Sequence, residues 1–223
     1  MSRESMAYDV VIVGAGPAGL AAACKIKQTN PAYSVCVLEK GSEVGAHILS
    51  GAVFEPTALN ELFPDWQSMS APLNTAVTDD HILLLQEQKQ IRVPGIFAPK
   101  TMKNHGNYII SLGNFCRWLA TQAENLGVEI FPGFSAAEIL YSENDEVMGI
   151  ATGDMGLSKS GEKKDSYMQG MELHAKFTLF AEGCRGHLGK QLINKYQLDK
   201  GKDPQHYGLG IKELWKIPAD QHQ

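Results

Sequence analysis

A glycine-rich turn between a strand and a helix constrains this chain more than any other feature of its sequence. Residues 8–13 read YDVVIV, a short apolar run that is typical of a strand buried on both faces of a parallel sheet. The turn GAGPAG fills residues 14–19, and a helical pattern follows until Asn30-Pro31 ends it. A second strand at residues 34–38 leads to Glu39. This order predicts an α/β, Rossmann-like dinucleotide-binding unit.

Each residue of the turn has a physical task in binding the phosphates of a dinucleotide. Gly14 permits the tight turn, Gly16 lets a pyrophosphate approach the backbone, and Gly19 lets the helix pack closely on the sheet. Pro17 suits the first helical turn, whose free N–H groups face the phosphates. Glu39 can accept hydrogen bonds from ribose hydroxyls, and its charge disfavours the 2′-phosphate of NADP. The motif alone does not separate FAD from NAD, and a purely structural glycine turn is the alternative.

Two later segments could offer their backbone to a long ligand. Residues 41–56 (GSEVGAHILSGAVFEP) contain small residues among apolar ones, and such a segment can lie flat against a planar ring. Residues 181–183 (AEG) come after a strand and open onto a glycine-rich turn. The alternatives are an ordinary apolar loop for the first segment and a common strand-to-helix turn for the second.

Periodicity predicts the remaining elements. An amphipathic helix begins after Ser111, its expected N-cap, and ends before Gly127. Residues 153–170 form a polar excursion in which no chemistry is evident, and residues 93–99 form an apolar loop with two prolines. Further helices are predicted at 57–63 and 188–196, hairpins at 83–93 and 137–152, and strands at 128–131, 171–174, 176–180 and 207–215.

Charge and residue usage exclude several classes of protein. The net charge of −5 and the pI of about 5.8 argue against a nucleic-acid partner. The four cysteines show no C-x2-C spacing, so no zinc or iron–sulfur site can form locally, and Cys24, Cys36 and Cys116 are expected to be buried thiols. No apolar run is long enough for a transmembrane helix, and no signal or transit peptide is evident at the start. No catalytic constellation of side chains stands out.

The longer motifs resemble one family of flavoproteins. The chain is similar to the flavoproteins with two dinucleotide folds of the glutathione-reductase type, and among them to the electron transfer flavoprotein–ubiquinone oxidoreductase family. The resemblance spans almost the whole chain. It depends on DVVIVGAGPAGLAAA from Asp9, GAHILSGAVFEP from Gly45, NHGNYI from Asn104, ELHAKFTLFAEGCRGHLGKQL from Glu172 and YGLGIKELW from Tyr207.

The resemblance implies bound FAD, a [4Fe-4S] cluster and a ubiquinone site, with electrons arriving from reduced electron transfer flavoprotein. It implies a pyrophosphate contact at 14–19, a ribose contact at Glu39, an isoalloxazine contact at 45–51, an adenine contact at Ala137 and a second FAD contact at 181–183. No catalytic residue and no metal ligand is assigned. The full set of expected cofactor-binding residues is Gly14, Gly16, Pro17, Ala18, Gly19, Glu39, Lys40, Gly45, Ala46, His47, Leu49, Ser50, Gly51, Ala137, Ala181, Glu182 and Gly183.

Members of that family are more than twice as long, and their cluster cysteines and the strand that completes the FAD sheet correspond to no residue of this chain. We therefore expect residues 1–223 to be an incomplete, N-terminal FAD-binding domain that is inactive alone. A β-rich insertion at about 53–105 and 207–223 would face ubiquinone and a membrane, with 44–65 and 93–99 as its apolar stretches.

The expected location is the cytoplasmic side of a bacterial inner membrane, with the matrix side of the mitochondrial inner membrane as the alternative. Two other functions stay open at this point. One is a different NAD(P)H-dependent FAD enzyme, such as a geranylgeranyl-reductase-like or hydroxylating flavoprotein. The other is a non-catalytic remnant.

Overall fold

A computed structural model describes residues 3–49, 51–158, 160–211, 213 and 215–221. Its helices are α1 (Pro17–Thr29), α2 (Thr57–Leu62), α3 (Leu112–Asn125) and α4 (His187–Tyr196). Its strands are β1 (Ser5–Val13), β2 (Val35–Glu39), β3 (Ala52–Phe54), β4 (Thr75–Ala76), β5 (Ile82–Leu85), β6 (Gln90–Val93), β7 (Tyr108–Ile110), β8 (Glu129–Pro132), β9 (Ala136–Tyr141), β10 (Val147–Thr152), β11 (Met155–Leu157), β12 (Lys163–Met168) and β13 (Glu172–Phe180).

A mixed six-stranded sheet in the order β8-β2-β1-β13-β10-β9 organises the described residues. Strands β8, β2, β1 and β13 pair in parallel. Strand β10 pairs antiparallel with both β13 and β9. The strand–turn–helix–strand unit predicted from the sequence is therefore confirmed. Residues 10–13 of β1 and 35–38 of β2 are buried on both faces of the sheet, which explains why these runs are continuously apolar.

Two apolar clusters fill the two faces of this sheet. On one face, Val10 and Ile12 of β1 pack with Leu20 of α1 and Leu119 of α3. On the other face, Val11 packs with residues of β9, β10 and β13 and with Leu188 of α4. Each buried aliphatic side chain contributes about 1.5–3 kcal/mol relative to its exposed state, so the sheet with α1, α3 and α4 forms the stable frame of the fold.

Local signals set the ends of the helices. Pro17 opens α1, where its missing N–H leaves no hydrogen bond unmade. Ser111 caps α3 by accepting a hydrogen bond from the Asn114 N–H at 3.4 Å, and Gly127 adopts a φ of +84° just after that helix. Both ends of α3 are as the sequence predicts.

A polar cluster ties β1 to its neighbours at the edge of the sheet opposite the glycine turn. The Asp9 carboxylate accepts hydrogen bonds from Lys176 Nζ at 2.6 Å, from the Ser34 N–H at 2.9 Å and from Ser34 Oγ at 3.1 Å. These bonds, chiefly the one from Lys176, lower the pKa of Asp9 to about 2. The carboxylate therefore stays charged at neutral pH and links β1, β13 and the entry to β2.

Smaller sheets form where the local sequence signals are weak. Strands β3, β7 and β4 make a three-stranded antiparallel sheet, β11 pairs with β12, and β5 pairs with β6. The β5–β6 hairpin agrees with the sequence prediction. The sequence did not predict β3, β4, β7 or the β11–β12 hairpin.

The strand predicted at 207–215 is wrong for the described part of that range. Residues 207–211, 213 and 215 have no regular secondary structure, and residues 212 and 214 lie outside the described residues. Apolar alternation makes a strand only where a sheet edge provides hydrogen-bond partners, and none of the described strands pairs with this segment.

Candidate functional site

A cleft of about 730 Å³ opens at the carboxyl ends of β1, β2 and β13. The Gly14 N–H donates to the Leu38 carbonyl at 2.8 Å, and the Ala181 N–H donates to the Val13 carbonyl at 2.8 Å. These bonds bring the ends of the three strands together. Ligands of α/β proteins bind outside the carboxyl ends of parallel strands, so the cleft lies where the fold class predicts a site.

The three glycines of the turn differ in how closely other atoms surround them. Gly14 has a φ of +107°, and a Cβ there would lie 2.6 Å from the Ala181 carbonyl oxygen. A Cβ on Gly19 would lie 2.0 Å from the Gly14 carbonyl oxygen, so α1 packs directly against the turn. A Cβ on Gly16 would meet no atom of the described residues within 4 Å, and Gly16 lines the cleft. Gly14 and Gly19 are thus required by the protein itself, whereas Gly16 leaves room on the ligand side.

Among the described residues, the N-termini of α1 and α4 approach the cleft, and a protein side chain occupies only that of α4. At α4, the Glu182 carboxylate accepts hydrogen bonds from the Leu188 N–H at 3.3 Å and the Gly189 N–H at 2.7 Å, and it pairs with His187 Nδ1 at 3.1 Å. At α1, the first turn has no side-chain cap and no acidic residue. A helix N-terminus attracts anions, so the start of α1 is a position where the cleft could hold an anionic group.

Glu39 stands at the end of β2 with both carboxylate oxygens already oriented. Oε1 accepts a hydrogen bond from the Gly41 N–H at 2.7 Å, and Oε2 accepts one from the Ala15 N–H at 3.1 Å. A carboxylate has about four acceptor positions, so each oxygen can still accept a hydroxyl. The two backbone bonds fix the carboxylate beside the glycine turn, on the wall of the cleft.

The loop after β2 is held against the start of α3. Gly45 has a φ of +85°, and a Cβ there would lie 2.7 Å from the Gly113 carbonyl oxygen. Arg117 donates from Nη1 to the Val44 carbonyl at 3.4 Å and lies 3.7 Å from Glu43. This close packing places His47 and Ile48 on the wall of the cleft.

The predicted site residues separate into those on the cleft wall and those away from it. Ser50 lies outside the described residues. Gly19 is inside α1, Leu49 and Gly51 are exposed, and Ala46 and Ala137 do not line the cleft. The residues brought together on the cleft wall are Gly14, Gly16, Pro17, Ala18, Glu39, Lys40, Gly45, His47, Ala181, Glu182 and Gly183.

The cleft wall also contains residues that the sequence did not single out. Arg185 and His187 come from the same turn as Glu182, and Arg185 and Lys40 give the cleft two cationic side chains. Ser135 ends the connection between β8 and β9, and Ala136 is the first residue of β9. The signal for Arg185 and His187 was available, since they lie in the AEGCRGH segment. Ser135 and Ala136 reach the cleft only because β8 ends at the same edge of the sheet as β2.

We expect thiol reagents to modify the native protein at Cys184 alone. Cys24, Cys36 and Cys116 are buried, as the sequence predicts, whereas Cys184 is exposed. Burial raises the pKa of Cys24 and Cys36 to about 12 and that of Cys116 to about 11, so their reactive thiolates are scarce at neutral pH.

Mass spectrometry after iodoacetamide treatment would measure this. It should find a single adduct in native protein and four after unfolding in urea. The Cys184→Ser variant should give no adduct while folded. Rapid native labelling of Cys36 would contradict the burial described above.

No group of three or more His, Cys, Asp or Glu side chains within the described residues is arranged to hold a metal ion. None of the described helices combines the length and the apolar character that a bilayer crossing requires.

Comparison with known proteins agrees with this geometry. Residues 12–63 match the NAD(P)-binding Rossmann-like domain family. In solved structures, the fold is similar to a geranylgeranyl bacteriochlorophyll reductase-like protein from Thermoplasma acidophilum (TM-score 0.57, 22% identity, 79% of this chain and 39% of that one). It is also similar to the flavin-dependent brominase Bmp2 (TM-score 0.56, 14% identity, 86% of this chain and 41% of that one). These likenesses confirm the fold class.

Relatives identified by sequence are much more similar to this chain than these solved structures are. The electron transfer flavoprotein-ubiquinone oxidoreductase of Pseudomonas aeruginosa is 64% identical over 100% of this chain and 42% of its own length. The mitochondrial protein of the same name from Bos taurus is 52% identical over 97% of this chain and 36% of its own length. This chain thus spans less than half of the relatives that it matches. It belongs to the electron transfer flavoprotein–ubiquinone oxidoreductase family and matches the N-terminal portion of its members.

Proposed function

We propose that the cleft binds FAD. The observation that carries this proposal is the uncapped N-terminus of α1 behind the open position at Gly16. The pyrophosphate would accept hydrogen bonds from the N–H groups of that first turn, and Glu39 would accept hydrogen bonds from the adenosine ribose. The backbone of Ala181 and Gly183 would provide a second contact, because the Glu182 carboxylate is engaged by α4.

The rest of the expected FAD site is proposed on the same basis. Ala137 is the residue proposed to contact the adenine, and it directly follows Ala136 on the cleft wall. The isoalloxazine would lie along the 45–51 loop, beside Gly45 and His47. Lys40 and Arg185, both on the cleft wall, would balance the phosphate charge.

For the full-length protein we propose the activity in the names of its relatives. Electrons would come from reduced electron transfer flavoprotein and reach ubiquinone through FAD and a [4Fe-4S] cluster. The bound flavin supplies the redox chemistry, so the residues of this chain bind and orient it and need no general acid or base. We assign the cluster to the part of the relatives that this chain does not span, and this chain alone would not reduce quinone.

We propose that residues 53–105 and 207–223 form the membrane-facing and ubiquinone-facing insertion. Exposed apolar side chains in these ranges, such as Phe97 and Trp215, support this proposal. The location would be the cytoplasmic face of a bacterial inner membrane, because the Pseudomonas aeruginosa relative is the more similar one; the matrix face of the mitochondrial inner membrane is the alternative.

We expect the chain to bind FAD saturably and the Glu39→Gln variant to bind it at least about tenfold more weakly. A hydrogen bond to a charged group contributes about 1.5–3 kcal/mol, and 1.4 kcal/mol corresponds to a factor of ten in affinity. Titration of the 223-residue chain with FAD, followed by quenching of flavin fluorescence, measures this. NADP should not compete.

The matched control is Glu43→Gln, which alters an exposed carboxylate on the same loop and should bind FAD normally. A chain that folds but does not bind FAD would favour the non-catalytic remnant. Rapid reduction of the bound flavin by NADPH would favour an NAD(P)H-dependent reductase instead.

A further inference from the structure

The side chain of Arg117 joins α3 to the loop after β2. Its Nη1 donates a hydrogen bond to the Val44 carbonyl at 3.4 Å and lies 3.7 Å from Oε1 of Glu43. Its Nη2 donates to Oδ1 of Asn114, one turn earlier on the same helix, at 2.7 Å. A guanidinium is a planar fork of N–H donors, so the bond to Asn114 orients the whole group toward the loop.

The loop and α3 meet backbone to backbone beside this guanidinium. A Cβ on Gly45 would lie 2.7 Å from the Gly113 carbonyl oxygen and 3.2 Å from Nη1 of Arg117. A Cβ on Gly113 would in turn lie 3.3 Å from the Gly45 carbonyl oxygen. Val44 and Gly113 are buried. Arg117 therefore lies across a contact in which two glycines allow the close approach.

This contact sets the position of a short stretch of the cleft wall. The Glu43 carbonyl accepts a hydrogen bond from the Ala46 N–H at 3.3 Å, and the Gly45 carbonyl accepts one from the Ile48 N–H at 3.2 Å. Residues 43–48 thus form two successive turns that move together. Gly45, His47 and Ile48 line the cleft, so a shift of these turns changes the shape of its wall.

The opposite end of the proposed FAD site is held by different contacts. The Glu39 carboxylate is fixed by the N–H groups of Gly41 and Ala15, and the glycine turn at 14–19 packs against the ends of the strands. The contacts of Arg117 described above all go to the loop or to α3. The wall near residues 45–48 can therefore be disturbed without disturbing the turn or Glu39.

We propose that Arg117 is a positioning residue for the isoalloxazine half of FAD. It holds the turns that carry Gly45 and His47, beside which the ring is proposed to lie, and it acts through that loop. The adenosine and diphosphate half, at the glycine turn and Glu39, should not depend on it. This inference depends on the proposed FAD site and assigns the ring end of that site to α3.

Comparison of FAD with ADP tests the inference, because ADP has the adenosine and diphosphate of FAD but no flavin. Isothermal titration calorimetry of the 223-residue chain measures both affinities. Arg117→Ala should weaken FAD binding at least about threefold and leave ADP binding within about twofold of the wild type. The visible absorption spectrum of the bound flavin should also change. Arg117→Lys should behave like Arg117→Ala, because an ammonium keeps the charge but not the fork.

Asn114→Ala provides a second test that leaves the arginine in place. Without the Asn114 amide oxygen the guanidinium is less well oriented, so FAD binding should weaken and ADP binding should not. In the Arg117→Ala background the same substitution should have no further effect, since residues that act through one contact are not additive. Equal effects of Asn114→Ala in both backgrounds would contradict the role given to Arg117.

Two control variants separate this inference from the proposed function. Lys25→Ala removes an exposed positive charge from α1 away from the cleft wall, and it should bind both ligands normally. Glu39→Gln should weaken both ligands, because both contain the adenosine ribose. An equal loss of FAD and ADP affinity in Arg117→Ala, unchanged FAD binding, or full rescue by lysine would overturn the inference alone. A wild type that binds neither ligand would overturn the FAD site, and this inference with it.

Discussion

Replacing Gly16 by valine is expected to reduce FAD affinity at least about 100-fold and to leave the fold unchanged. Within the part of the chain that the structure describes, an added Cβ at Gly16 meets no atom within 4 Å, and its backbone at φ −78° suits any residue. The new side chain would instead occupy the space where a pyrophosphate must approach the first turn of α1. Fluorescence titration with FAD and urea unfolding of the same sample measure the two effects.

The control for this prediction is Gly208→Val. A Cβ added at Gly208 would also meet no protein atom within 4 Å, but Gly208 does not line the cleft. This variant should therefore retain both stability and FAD affinity. If folded Gly16→Val protein binds FAD as tightly as the wild type, the phosphates do not lie at the N-terminus of α1 and the proposed site is wrong.

The frame of the fold could be predicted because its signals are local. The apolar run of β1, the glycine turn, Pro17 at the start of α1 and Ser111 before α3 each act over a few residues. The hairpin of β9 and β10 has an alternating pattern and a polar turn, which is also a local signal. Because these signals do not depend on distant parts of the chain, periodicity and capping residues were sufficient to predict the elements.

The elements that were missed, or predicted wrongly, depend on distant partners. Strand β3 has three residues and pairs Ala52 with Ile110, far along the chain, and β4 has two residues. The β11–β12 hairpin consists of mostly exposed residues and shows no apolar alternation. At 207–215 the alternation was present, but none of the described strands pairs with it. Strand formation depends on a partner edge, which a single sequence does not reveal.

The residues of the candidate site likewise divide into those with a local sequence signal and those whose role depends on tertiary contacts. Gly14, Gly16 and Glu39 belong to one local motif, and the structure brings them to one cleft. Glu182 belongs to the 181–183 segment expected to contact the ligand and lines the cleft, and its carboxylate also caps α4, because the chain turns back at Gly186. A Cβ on Gly186 would lie 2.5 Å from the Glu182 Cβ. That turn is a tertiary feature, so the sequence indicated the segment but not the role of its carboxylate.

Replacing Gly19 by alanine is expected to destabilise the protein by about 1–2 kcal/mol, although alanine is the better helix former. Within a helix, alanine is favoured over glycine by about 1 kcal/mol. Against this, the new Cβ would lie 2.0 Å from the Gly14 carbonyl oxygen and 3.2 Å from Cγ2 of Ile12. Both atoms are held by β1 and its turn, so α1 must move away from the sheet, and overpacking of this kind costs about 1–3 kcal/mol or more.

Urea unfolding of Gly19→Ala beside Gly189→Ala separates these two effects. Gly189 is also in the first turn of a helix, α4, but its nearest foreign atom to an added Cβ is the Glu182 Oε2 at 3.5 Å, an ordinary contact. Gly189→Ala should therefore be neutral or stabilising by up to about 1 kcal/mol. If Gly19→Ala were as stable as Gly189→Ala, helix propensity would outweigh packing and α1 could not lie against the turn as closely as described. A loss confined to Gly19→Ala shows that contact with the turn, rather than helix formation, requires glycine at this position.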